Sequence, residues 1–316
     1  MPGIMEFSHA VGYRGLASIK PHGDEEKTTL LCTGGNINLT QDPIMSGGVW
    51  GAGYANAAPI AYAFNYLSLE GSMNFEWVEG IWESVKKFAI SDRTAQHHVE
   101  LLPDGLNGFK GNGWCSSLSF DASESAALTG SMNFKGDPSD EEGGVVAGST
   151  DYTSKGAGTP TDPQHLLVGN TLIAYWQTTV RESSDVSFDQ TGASVGSWRD
   201  MKDIINWSCS YNSDLQVLKC CNYQDTAPIA PDYILCGEMS GEGSYTIFKI
   251  QNNFSPSSYH NVRALQFQIG ASHLVTIPSV LISSGSTAMA TGASYITCDY
   301  SFTAIGDGVN SIIKMD

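Results

Sequence analysis

Taken at every second residue, SLEGSMNFEW (Ser68 to Trp77) places Leu69, Gly71, Met73 and Phe75 on one side and Glu70, Ser72, Asn74 and Glu76 on the other. Side chains of a β-strand alternate between two faces, so this is the pattern of a strand with one dry and one wet side. The stretch ALTGSMNFKG (Ala127 to Gly136) divides the same way, with Leu128, Gly130, Met132 and Phe134 opposed to Thr129, Ser131, Asn133 and Lys135. The glycine within each copy suits a bulge or a bend. Strand patterns recur at TTLLCTGGNINL, HHVELL, SSLSFDA, NWSCSYNSDLQVLKCC, ILCGEMSGEGSYTIFKI, ALQFQIG, VTIPSVLIS and TGASYITCDYSF.

Three segments read as helix. From Trp77 to Ala89, the residues Val78, Ile81, Trp82, Val85, Phe88 and Ala89 fall on one helical face, with Glu83 and Lys87 spaced for an i,i+4 pair. SWRDMKDIINW has a capping-box-like start at Ser197 and Asp200, with Trp198, Met201 and Ile205 on one side. In SPSSYHNV, Ser255 is placed to cap a short helix with Pro256 in its first turn. Asn112-Gly113-Trp114-Cys115 reads as a turn entering a strand.

The order of elements repeats. Each half gives a strand, a long hairpin loop, a strand, a helix and further strands, and APIA recurs at Ala58 and Ala227 while ALTG at Ala127 is echoed by MATG at Met289. Between the halves, Asp137 to Gln164 is rich in Gly, Ser, Thr, Asp and Pro without periodicity, as a linker or extended arm is. The fold expected is mainly β: two similar β-sandwich or barrel-like domains, 1–136 and 166–316, each with a flanking helix and joined by a linker over 137–165.

Composition narrows the function. Sixteen Lys and Arg stand against 33 Asp and Glu, a net charge of −17, which argues against unaided binding to a nucleic-acid backbone. The N-terminus lacks the basic start and apolar run of a secretory signal, and no stretch has the roughly 18 apolar residues of a membrane span. Synthesis in a cytosol-like compartment is expected, and with it seven reduced cysteines rather than a disulfide framework.

Chemistry-bearing motifs are missing. The loop GGVWGAG (Gly47 to Gly53) has neither dinucleotide nor Walker spacing. His97 and His98 diverge on a strand, leaving only His98 and Glu100 to share a side, short of a metal site. Glu141 and Glu142 lie in the expected linker. No catalytic residue, metal ligand or cofactor is assigned, and the chain is expected not to be an enzyme. What remains is a low charged fraction of 16% and wet strand faces made of Ser, Thr, Asn and Gln, which suit close protein contact. The apolar hairpin loop with Gly48, Val49, Trp50 and Tyr54 is a candidate contact.

This order of strand, long hairpin loop, strand, helix and strands, closing on SLSFDASESAALTGSMNFKG, resembles the tail tube proteins of long-tailed bacteriophages. The resemblance implies a β-sandwich flanked by a helix, whose inner sheets unite into a barrel around a lumen. It implies homotrimeric rings for a chain that carries the sandwich twice, stacked into a tube that conducts DNA during ejection. It places SGGVWGAGY between successive rings, and makes Glu70, Ser72, Asn74, Thr129, Ser131 and Asn133 candidates for facing the lumen. The implied partners are other copies of the chain, tape measure and tail terminator proteins, and DNA passing without specific binding, in a virion. Two other readings stay open: a carbohydrate-binding β-sandwich, as in an adhesin or receptor-binding tail protein, and an all-β hydrolase with a carboxylate pair.

Overall fold

The computed structural model describes residues 16–40, 43–45, 62–64, 68–102, 108–137, 145–146, 171–220, 233–248, 261–288, 297–307 and 311–316. The chain is mainly β, with large antiparallel sheets in a sandwich-like arrangement.

The first half begins with β1 (Leu16–Lys20), β2 (Thr28–Thr29), β3 (Leu31–Thr40), β4 (Pro43–Met45), β5 (Tyr62–Phe64) and β6 (Ser68–Glu76). A helical segment follows, made of a 3-10 turn at Glu79–Ile81, α1 (Trp82–Lys86) and a π turn at Lys87–Ser91. Then come β7 (His97–Leu102), β8 (Gly108–Ala122), β9 (Thr129–Gly136) and β10 (Val145–Val146). The second half holds β11 (Thr178–Ser183), β12 (Val186–Asp189), β13 (Gly192–Val195), β14 (Arg199–Asp200), β15 (Ile204–Leu218) and β16 (Tyr233–Ile247). It ends with β17 (Arg263–Ile269), β18 (His273–Ala288), β19 (Thr297–Ala304) and β20 (Lys314–Met315).

The strand connections repeat element for element. In the first half the hydrogen-bonded order is β3-β6-β9-β8-β7-β1-β2, with β10 on β8; in the second it is β15-β16-β19-β18-β17-β11-β14, with β20 on β18. The β4-β5 hairpin is inserted in the first copy and the β12-β13 hairpin in the second. Irregularities coincide as well. Thr33 bulges from the β3-β6 pair and Ile205 from β15-β16; Ser116 bulges from β8-β9 and Ser283 from β18-β19. A bulge inserts one unpaired residue at a definite place, so two matching bulges fix the alignment of the copies. By that alignment β9 maps onto β19 with Phe134 on Phe302, a shift of 168 residues. The ALTG/MATG echo at 162 misses it, and Met289 itself, like both APIA stretches, lies outside the described residues.

The twin GSMNF stretches are neighbours. β6 and β9 pair antiparallel with Met73 opposite Met132, so Gly71 faces Phe134 and Gly130 faces Phe75. A Cβ on Gly71 would overlap the Phe134 ring, and one on Gly130 would lie 2.8 Å from the Phe75 ring and 2.6 Å from Trp77 Nε1. Each glycine therefore makes room for the phenylalanine of the other copy. No bulge stands at these glycines, since the β6-β9 register runs without a shift. The second copy repeats the device, with Gly243 opposite Phe302 and its absent Cβ overlapping that ring.

The expected helix is helical from Glu79 to Ser91, two residues later than predicted at both ends, because Val78 is extended and bridges to Leu172. Its predicted face is buried: Ile81, Trp82, Val85, Phe88 and Ala89. The Glu83–Lys87 pair does not form. Lys87, at the start of the π turn, reaches Asp24 at 2.6 Å, and Lys86 lies 3.7 Å from Glu83. Trp77 stacks on Phe120 at 4.8 Å, and Trp82 stacks on His273 at 4.5 Å, carrying the core from the first half into the second.

Two further expectations are corrected. SWRDMKDIINW is not a helix: Arg199–Asp200 form β14 against β11, Asp203 has φ of 65°, and β15 starts at Ile204. Here tertiary pairing overrides the helical spacing. The Arg181–Asp200 ion pair at 2.8 Å and a second one between Arg199 and Glu182 hold the segment extended. Asn112 and Gly113 make no turn; they lie inside β8, paired with His98 and His97. The expected SPSSYHNV helix lies almost wholly outside the described residues, as does most of the expected linker, of which Val145–Val146 adds β10 to β8.

Candidate assembly surface

The halves meet through backbone pairing. The C-terminal part of β8 runs antiparallel to β15, from Ser117 opposite Asn212 to Ala122 opposite Trp207. The result is one continuous sheet in the order β3-β6-β9-β8-β15-β16-β19-β18.

One side of this sheet is core. Leu69, Met73, Phe75, Leu118, Phe120, Met132, Phe134, Cys209, Tyr211, Tyr245 and Phe302 are all buried. The other side is polar from β3 to β19, and β18 adds an exposed Leu281 to it opposite Thr303. From β3 it shows Asn36 and Asn38; from β6, Glu70, Ser72, Asn74 and Glu76; from β9, Thr129, Ser131 and Asn133. Ser117, Ser119 and Asp121 of β8 continue it into Ser208, Ser210 and Asn212 of β15. Glu242, Ser244 and Thr246 of β16 then face Thr303, Ser301 and Asp299 of β19.

The six candidate residues of the first half are thus brought together on one face. Ser72 sits opposite Asn133, and Asn74 opposite Ser131. Ser72 donates from Oγ to Asn36 Oδ1 at 2.9 Å, and Asn133 donates from Nδ2 to Ser117 Oγ at 2.7 Å. Thr129 donates to the Asp121 carbonyl at 3.4 Å. The second half supplies matching cross-strand bonds, Ser208 to Ser244 at 2.9 Å and Thr246 to Asp299 Oδ1 at 2.6 Å. Such pairs fix rotamers and make the face a stiff, hydrogen-bonded layer. Its charges are mostly acidic: Glu70, Glu76, Asp121, Glu242 and Asp299. The base Lys135 lies 3.4 Å from Glu70, so its charge is offset.

Gly48, Val49, Trp50 and Tyr54 lie outside the described residues. A different apolar group, absent from the sequence reading, stands on the far end of the β15-β16 hairpin. Leu218 and Tyr233 face each other there, with Leu235 beside them, and all three are exposed. The signal was available as a break in alternation, since the polar face of β15 turns apolar at Leu218.

Several other titratable groups are tied into the fold. His97 and His98 do diverge. His97 is fully buried, accepting the His22 N–H on Nδ1 at 3.0 Å while Nε2 donates to the Asp92 carbonyl at 3.0 Å, and burial lowers its pKa. His98 turns outward to Glu100 at 3.5 Å. Burial alone would raise the Glu100 pKa, but His98, Lys27 at 2.5 Å and the Ser18 hydroxyl at 3.0 Å outweigh it and hold it well below the usual carboxylate range. Burial pushes the Cys209 thiol up to about 12 and that of Cys115 higher still, so neither is a nucleophile at neutral pH. Among the described residues no group of three or more His, Cys, Asp or Glu is placed to hold a metal ion, and no helix is long and apolar enough to cross a membrane.

No family model matches the chain, and no curated protein matches it. Among solved structures, a chain from the virion of a native gene transfer agent (GTA) particle is similar over 45% of this chain and 96% of its own length, at 10% identity and a TM-score of 0.29.

Proposed function

We propose that the chain is a structural virion protein, without enzymatic activity, that assembles with copies of itself into rings stacked as a phage tail tube, a conduit for DNA during ejection. The carrying observation is the wet face of the eight-strand sheet, which crosses both halves without a break and is built from Ser, Thr and Asn with acidic residues among them. A duplex slides only past a wall that does not hold it, and each unpaired Lys or Arg there would add a phosphate contact with counterion release. On β3, β6, β9, β15, β16, β19 and the part of β8 paired with β15, the described wet face offers one base, Lys135, already set against Glu70. In the proposed assembly this face lines the lumen, the tape measure protein occupies it before ejection, and a terminator protein caps the stack.

Negative-stain microscopy of the purified chain, alone and with its tail partners, tests the reading. Rings or tubes with a central channel support it. Discrete particles whose stability rises on adding glycan would replace it with the carbohydrate-binding reading.

A further inference from the structure

The outward side of β1, β7 and the start of β8 carries a polar surface rich in lysine, where the wet face is mostly acidic. Lys20 lies opposite His98, and His98 opposite Asn112, so these three form one row across the strands. Ser18, Glu100 and Lys110 form the next row. Ile19, Val99 and Phe109 alternate with them and point the other way, into the core. The PHGD turn after β1 closes one end. The Asp24 N–H donates to the Pro21 carbonyl at 3.1 Å, and Gly23, at φ of 80°, fills the place in a type II turn that needs a positive φ. Between this turn and the strand rows lies a cleft of about 730 Å³, bordered by Lys20, His98, Lys110 and Asn112 of the strands and by His22 and Lys27 of the turn.

We propose that this cleft binds a small phosphate-bearing anion. A tetrahedral dianion offers oxygens in several directions, and the cleft sets donors around it in the same way: the Lys20 ammonium and Asn112 amide from the strands, the His22 ring and Lys27 ammonium from the turn. Lysine serves phosphate as a point charge and needs no fixed fork. The volume is that of a small-molecule site rather than of a lone ion, and the polar lining suits a polar body on the phosphate, such as a sugar. Occupancy of the cleft does not depend on the assembly proposed above.

Three observations favour an anion here. First, the nearby carboxylates are already taken. Glu100 accepts the Ser18 hydroxyl at 3.0 Å and stands 2.5 Å from Lys27 and 3.9 Å from Lys110, while Asp24 is held by Lys87 at 2.6 Å. Glu25 and Glu26, next along the turn, are exposed and lie outside the lining. Lys20 forms no ion pair with any described residue, so its charge is left for a ligand. Second, the turn is fixed in advance. The His22 N–H donates to Nδ1 of the fully buried His97 at 3.0 Å, and Lys87 of the helical segment pins Asp24. Donors held in place before the ligand arrives lower the ordering cost of binding. Third, the cations are unevenly spread. Lys135, Arg181, Arg199 and Arg263 each stand beside an acid of their own sheet, whereas Lys20, Lys27 and Lys110 converge on one cleft. The net charge of −17 repels a long polyanion over its whole length. Screening over about 8–10 Å leaves a small anion in the cleft governed by the local lysines.

Isothermal titration calorimetry of the full, unassembled chain tests the site, with inorganic phosphate and separately glucose 6-phosphate as probes in chloride buffer of constant ionic strength. Saturable binding of at least one probe, with a Kd in the millimolar range or tighter, is expected. Lys20→Met should weaken it roughly tenfold, the loss of one charge-assisted contact, and circular dichroism checks that the variant stays folded. Lys135→Met, which removes the base of the wet face, should leave the Kd unchanged. Amide shifts induced in the wild-type chain by the same probe, followed by NMR, should cluster at residues 22–27 and 96–98, a readout that needs no variant. The absence of saturable binding by either probe overturns the proposal. So does binding that Lys20→Met leaves intact, binding that both substitutions weaken alike, or a cluster of shifts elsewhere in the chain.

Discussion

The glycine–phenylalanine exchange between β6 and β9 makes a quantitative prediction. Adding a methyl group at Gly71 drives it into the Phe134 ring, which is held from behind by Phe109 at a centroid distance of 5.7 Å and cannot simply turn away. Overpacking of this kind costs about 1–3 kcal/mol, and the upper end applies here because the ring is fully buried. Phe134→Ala removes the ring and leaves a cavity, at about 3–5 kcal/mol. If the effects were independent, the double variant would lose roughly 4–8 kcal/mol, more than many subunits possess. With Phe134 gone, however, the methyl at position 71 enters vacated space and no longer clashes. The double variant should therefore be no less stable than Phe134→Ala alone, a coupling of about 2–3 kcal/mol. Equilibrium urea unfolding followed by tryptophan fluorescence, under conditions that keep subunits unassembled, measures all four corners of the cycle. Additivity within about 0.5 kcal/mol, or a neutral Gly71→Ala, would refute the argument that Gly71 exists to seat the ring. The same cycle at Gly243 and Phe302 should give the same sign.

Three other outcomes are expected. Glu100 has a folded pKa below its unfolded value, so its stabilising contribution is complete above about pH 4.5 and declines as the pH falls from there; Glu100→Gln should flatten that acid limb in thermal melts. At pH 7 the same change should cost roughly 2 kcal/mol, less than for a fully buried pair because the Lys27 side chain is 34% exposed. Replacing Leu218 and Tyr233, or separately Trp50 and Tyr54, by Ser should leave folded subunits, with tube length by microscopy reporting which apolar hairpin carries inter-ring contact; normal tubes from both pairs would remove these hairpins from the assembly. Glu70→Lys with Asn74→Lys in the assembled particle should slow DNA ejection at low salt, and an unchanged rate with normal tails would mean this face does not meet DNA.

Much of the fold was legible because period-two alternation survives wherever one face is buried. Leu69, Gly71, Met73 and Phe75, and the helix face from Ile81 to Ala89, were readable from spacing alone, and their burial follows. What misled was local signal outvoted by distant pairing. SWRDMKDIINW carries helical spacing, yet β11 draws Arg199–Asp200 into the sheet, and Asp203 breaks the chain before β15. Asn112-Gly113 looks like a turn only when β7 and β9 are out of sight. The repeat was legible as an order of elements but not as letters, since topology constrains which strands pair and where they bulge, while Ile37 and Cys209, or Cys115 and Ile282, fill equivalent positions with different apolar volumes.

Cryo-electron microscopy of the assembled particle tests the central claim most directly, since it shows which face meets the channel. The account predicts a ring in which Glu70, Ser72, Asn74, Thr129, Ser131 and Asn133 line the lumen. A ring with that polar face turned to the outside, or a lumen walled by Lys and Arg, would contradict it.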